Sequence, residues 1–164
     1  FFYLFWQMER GGREAGMYRR YLTLTSQKGN PIPQVVNWYG KLDVRNVNRK
    51  DYKKIPAPLM LEMKTGVDAV YPDIMTSPVL MVSEEAMEAI LLYDQQMPFF
   101  FLALFDTEKE ESVSYYCPVL AEDADGGKEA LYQIKRREGY EIRICEELAE
   151  SLLERGAVGM ELGE

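Results

Sequence analysis

Four carboxylates fall within six residues, at Asp106, Glu108, Glu110 and Glu111. Paired carboxylates can act as acid and base, but only where burial or close pairing drives their pKa values apart. Lys109 sits among these four, and interleaved Glu and Lys form the usual pattern of a solvated surface. The cluster therefore reads as a charged loop open to a partner. A second acidic run, Glu122-Asp123-Ala124-Asp125-Gly126, opens like a calcium loop. Its spacing fails, because no placement sets ligands at loop positions 1, 3 and 5 with Gly at 6 and Glu at 12. A hairpin turn explains the same residues. Glu122, Asp123 and Asp125 join the first cluster as candidate partner contacts, with no catalytic role.

Other reactive types offer less. Cys145 precedes a predicted helix, whose N-terminus lowers a thiol pKa. Glu146 and Glu147 follow it and oppose that effect, so it reads as a structural thiol. Cys117 alternates with Tyr115 in a predicted strand and reads as buried. Two cysteines are too few for a zinc site. No secretory signal is visible, which predicts free thiols in a reducing cytoplasm, although a removed signal stays open as an alternative. Arg10-Gly11-Gly12-Arg13 has the charge of a phosphate cradle but neither the P-loop Lys-Ser/Thr nor dinucleotide spacing, so it reads as a loop. Lys41, Arg45, Arg49, Lys50, Lys53 and Lys54 lie near Trp38, Tyr39 and Tyr52, a mixture that can stack on single-stranded bases. The net charge of −8 argues against nucleic acid as the main partner.

The chain has no histidine. That removes His general bases, Ser-His and Cys-His dyads, and His metal ligands. Neither a metal nor a cofactor is expected. Charge is also segregated: residues 1–64 carry a net +7 and residues 65–164 a net −15. Such a polarised field can steer a charged partner.

The elements that must position these residues follow from periodicity. A length of 164 residues suits one domain. The longest apolar run, Met97 to Phe105, is about half of what a membrane-spanning helix needs. Strands are predicted at 1–6, 18–25, 59–64, 79–82, 99–106, 112–120, 130–137, 141–144 and 158–162. The 99–106 strand is apolar enough to be buried on both faces. Residues 35–54 admit a surface strand, a short helix or a mobile segment. Ser83 is a good N-cap for a helix over 84–93, with Met87, Ile90, Leu91 and Asp94 along one stripe. A second helix covers 146–155, and Gly156 suits the position that ends it. The order predicts an α+β fold: a mixed, mainly antiparallel sheet with two or three short helices. Residues 82–91 and 144–153 echo each other as strand, small residue, acidic helix, by duplication or by convergence.

Two stretches resemble a known family. Ser77-Pro78-Val79-Leu80-Met81-Val82-Ser83-Glu84 is similar to the step into the middle helix of bacterial immunity proteins of the "immunity protein eleven" type. The tail from Ile142 to Met160 resembles the family's closing strand and helix, and Gly156 and Gly159 fill its G-x-x-G step into a last strand. The likeness spans roughly residues 70–164. It implies a non-enzymatic protein that neutralises a toxin deployed between bacteria, and it brings no catalytic residues. An acidic surface that occludes a basic toxin cleft is the mechanism it suggests. A small enzyme using carboxylates or tyrosines, and a structural or ligand-binding accessory domain, are the alternatives.

Overall fold

The computed structural model describes residues 18, 20–29, 31–122, 128–137 and 139–164. The predicted first strand, the Gly11-Gly12 loop and the turn at Asp123 and Asp125 lie outside these residues. Strands are β1 (Tyr21–Ser26), β2 (Gln34–Val36), β3 (Leu59–Lys64), β4 (Ile74–Met75), β5 (Met81–Val82), β6 (Phe99–Asp106), β7 (Glu111–Pro118), β8 (Ala121–Glu122), β9 (Leu131–Arg136), β10 (Gly139–Cys145) and β11 (Met160–Gly163). The helices among the described residues are α1 (Glu84–Tyr93) and α2 (Glu146–Glu154).

The fold is α+β and mostly strand, as the residue order predicts, but it has two sheets where one was expected. One runs β11-β1-β10-β9-β8 and the other β2-β3-β6-β7-β5-β4. Among the described residues, only the β3–β6 and β8–β9 pairs are parallel. The split arises because each long hairpin recruits a different early strand: β10 takes β1, and β6 takes β3. Local periodicity carries no information about such distant pairing.

The β6–β7 hairpin is the most regular feature, paired from Phe99↔Pro118 to Asp106↔Glu111. Its side chains alternate, so β6 is buried on one face rather than both: Leu102 and Leu104 are fully covered while Phe101 is exposed. With Leu61, Met63, Tyr115 and Cys117 they form one apolar layer, roofed by Leu42, Val47 and Ile55 from the 42–55 segment. The Tyr115 hydroxyl donates to the Pro72 carbonyl at 2.7 Å, satisfying its buried oxygen.

A second apolar layer joins the helices to both sheets through Ile74, Val82, Ile90, Leu131, Ile144, Leu148 and Leu152. Helix α1 buries Ala86, Ala89 and Ile90, and Met87 and Leu91 of the predicted stripe pack against the same core, half-buried. Helix α1 packs on α2, and the two alanines lie in the core that both helices share. Both helices start the same way. Ser83 Oγ accepts from Ala86 N at 3.3 Å, and Cys145 Sγ accepts from Leu148 N at 3.4 Å. The echo holds for the caps, but β5 and β10 belong to different sheets.

Neither cysteine is in a disulfide, and both are fully buried. Burial pushes the Cys117 thiol well above its usual range. Neither thiol is expected to react with an aromatic disulfide reagent in native buffer, and both should titrate once urea unfolds the chain. A fast native reaction at either would contradict this packing. Among the described residues, no helix is long and apolar enough to cross a membrane.

Candidate functional site

The predicted acidic cluster sits at the tip of the β6–β7 hairpin, but its members differ in role. Asp106 is buried, not solvated as its neighbours in sequence suggest. Its Oδ1 accepts from the Glu108 and Lys109 amides at 3.0 and 3.3 Å, closing the turn. Its Oδ2 accepts from the Thr65 hydroxyl at 2.7 Å and the Thr65 amide at 3.3 Å. The partner that buries it is 41 residues away, which no local pattern reveals.

The Thr65 hydroxyl, aided by the backbone amides, holds the Asp106 carboxyl below the usual carboxylate range. A depressed folded pKa contributes stability above the unfolded value, near 3.8, and loses it as pH falls through the folded value. An Asp106→Asn variant is therefore expected to be less stable than the parent at pH 5 to 7, with urea midpoints converging toward pH 2. A gap that stayed constant with pH would contradict this role.

Glu108, Glu110 and Glu111 are exposed. The turn beneath them is braced at several points. Glu110 takes a left-handed backbone with φ 54°, Lys109 Nζ donates to the Gly66 carbonyl, and the Tyr71 hydroxyl donates to Glu111 Oε2 at 2.5 Å. That bond to Glu111 raises the Tyr71 phenol to about 12. Asp68, which the sequence did not single out, lines the same depression as Tyr71, Lys109 and Glu111. The tip thus presents exposed carboxylates on a fixed frame.

Glu122 stands apart, on β8 in the other sheet, where its Oε1 accepts from the Tyr140 hydroxyl at 3.1 Å. Asp123 and Asp125 lie outside the described residues. The structure therefore brings Asp106, Glu108, Glu110 and Glu111 together and places Glu122 elsewhere.

Glu122 lines an open groove of about 700 Å³ between the 44–51 segment and the β9–β10 hairpin. The segment that resists reading from sequence is two 3-10 turns, Val44–Asn46 and Tyr52–Lys54. Asp43 caps the first through the Arg45 amide. Asn48 organises the bend between them, accepting from the Lys50 and Asp51 amides at 3.0 and 2.9 Å and donating to the Arg45 carbonyl at 2.8 Å. Buried Gln133 on β9 donates to the Val47 carbonyl at 3.0 Å, and Arg49 donates to the Val119 carbonyl at 2.5 Å. Asp and Asn bonding to nearby amides was the available signal for these turns. Trp38 and Tyr39 stack on each other at 4.2 Å rather than standing apart to receive bases.

Among the described residues, no group of three Asp, Glu or Cys side chains converges as metal ligands would. No known protein family and no curated protein matches the chain.

The resolved titration shifts share a direction. Arg45 holds Asp43 low, Lys54 holds Asp51 low, and Asp106 is low as described. Burial raises Tyr21, Tyr115, Tyr140 and Cys117, and Tyr71 rises with its Glu111 bond. Each moves away from neutral pH, whereas a proton-transfer residue is tuned toward it. These groups therefore hold a fixed charge state near neutral pH.

Proposed function

We propose that this chain is a non-enzymatic, immunity-like protein that binds a cognate bacterial toxin and occludes it. The observation that carries the reading is the β6–β7 tip, where Glu108, Glu110 and Glu111 stand exposed on a turn braced by Asp106, Lys109 and Tyr71. Preformed charge costs little ordering entropy on binding and speeds association with an opposite charge. A toxin with a basic active-site cleft fits that surface. The resemblance of residues 70–164 to immunity proteins supports the same class of partner.

The test is co-expression with the product of the reading frame next to the chain's own gene. The expected result is rescue of growth and a co-purified complex in which each protein is present once. Growth arrest without rescue, or turnover of a small metabolite by the chain alone, would contradict the proposal.

A further inference from the structure

The concave surface on the opposite sheet has the opposite sign. Six basic side chains line the groove: Arg45, Arg49, Lys50, Lys135, Arg136 and Arg137. Against them stand Asp51 and Glu122. Among the described lining residues the balance is +4, on a chain whose net charge is −8.

Some of these cations are already engaged. Arg45 forks onto Asp43 at 2.8 and 3.0 Å, Arg136 meets Glu141 at 3.3 Å, and Arg49 lies 3.8 Å from Asp94. Lys50, Lys135 and Arg137 are exposed and have no ion pair within 4.0 Å among the described residues. They lie on two different walls, Lys50 on the 44–51 bend and Lys135 and Arg137 on the hairpin. The walls are tied together beneath by the Gln133–Val47 bond and closed at one side by the Tyr140–Glu122 bond. Cations held on a fixed frame around a concavity raise the local concentration of anions.

We infer that this groove receives an acidic polypeptide segment, with Lys50, Lys135 and Arg137 as its charge contacts. That the occupant is a protein rests on the function proposed above; the groove's sign and shape do not. Two features favour a peptide over a nucleic acid. Asp51 and Glu122 interrupt the positive surface, so a continuous phosphate chain meets repulsion at two places. A peptide can set neutral or basic residues there. Trp38 and Tyr39 do not line this groove and are stacked on each other, and Tyr140, the aromatic among its described lining residues, is tied through its hydroxyl to Glu122. The inference gives the complex a bipolar interface, an acidic tip in a basic cleft and a basic groove around an acidic segment. Such a pattern fixes orientation as well as rate.

The experiment uses a fluorescein-labelled peptide of six glutamates interspersed with glycines and the full chain, read by fluorescence anisotropy in low and moderate salt, with labelled oligothymidine of equal charge as comparator. The expected result is saturable peptide binding that weakens by about tenfold or more in Lys135→Glu/Arg137→Glu and falls with salt. A Lys28→Glu/Lys64→Glu variant has the same net charge but leaves the groove intact, so it should bind like the parent. Absent binding overturns the inference, as does equal loss in both variants, which would reduce the effect to net charge. Tighter binding of oligothymidine than of peptide also overturns it, in favour of a nucleic-acid surface. So does self-association abolished by Lys135→Glu/Arg137→Glu, which would make a second copy the occupant. Because no toxin enters the assay, these failures leave the co-expression test standing on its own.

Discussion

Gly159→Ala is expected to lower stability by about 3 to 4 kcal/mol. Gly159 has φ +100°, a backbone that side-chain-bearing residues rarely adopt. A Cβ there would lie 2.5 Å from Pro72 Cβ and 2.8 Å from the Ile74 carbonyl oxygen. One obstacle is a ring and the other is backbone, so neither swings aside. The strained backbone costs about 1 to 2 kcal/mol and the overpacking about 1 to 3 more. The glycine's own carbonyl accepts from Gln27 at 2.8 Å, so a shift would also disturb the approach to β11. Gly156 is the internal control. It has φ +78°, but nothing lies within 4 Å of a built Cβ, so Gly156→Ala should cost only about 1 kcal/mol. Urea midpoints for the two variants check this, and equal losses would contradict the steric account.

Asp73→Ala should cost about 2 to 3 kcal/mol by the same measurement. The Asp73 carboxylate accepts from Ser83 Oγ at 2.8 Å and from the Val158 amide at 2.8 Å. Its backbone donates to the Val158 carbonyl and accepts from the Ser83 amide, both at 2.8 Å. One residue thus ties the cap of α1 to the step that follows α2. Charge-assisted hydrogen bonds contribute about 1.5 to 3 kcal/mol each, and the Val158 contact is solvent-exposed, so the total falls short of their sum. Asp73→Asn keeps one acceptor and should lose less. A variant as stable as the parent would show that the backbone bonds alone hold this junction.

What the sequence disclosed and what it hid divide along physical lines. Leu59–Lys64, Phe99–Asp106 and the Ser83 cap were legible because each depends on side chains within a few residues: alternation for the first strand, a continuous apolar run for the second, a hydroxyl before two glutamates for the helix. Gly156, ending its helix with a positive φ, was legible for the same reason. The 42–55 segment was not. Its order comes from Asn48 bonding to its own neighbours and from Leu42, Val47 and Ile55 seated singly against distant strands, which leaves no period to detect. The candidate site was legible in part. Glu108, Glu110 and Glu111 are exposed together as their charge implied, while Asp106 is drawn inward by Thr65. The basic groove was hidden because Arg45 to Asp51 and Lys135 to Arg137 lie more than eighty residues apart and meet only through long-range pairing.

The account turns on charge at the hairpin tip. Its most direct test is the association rate between this chain and the protein of the neighbouring reading frame, measured from low to moderate salt for the parent and for Glu108→Lys/Glu110→Lys/Glu111→Lys. All three side chains are solvent-exposed, so the fold should tolerate the change. The expected result is an association rate about ten- to a hundredfold slower at low salt, with a flattened salt dependence. An unchanged rate with an unchanged salt slope would contradict the claim that this acidic tip is what the toxin meets.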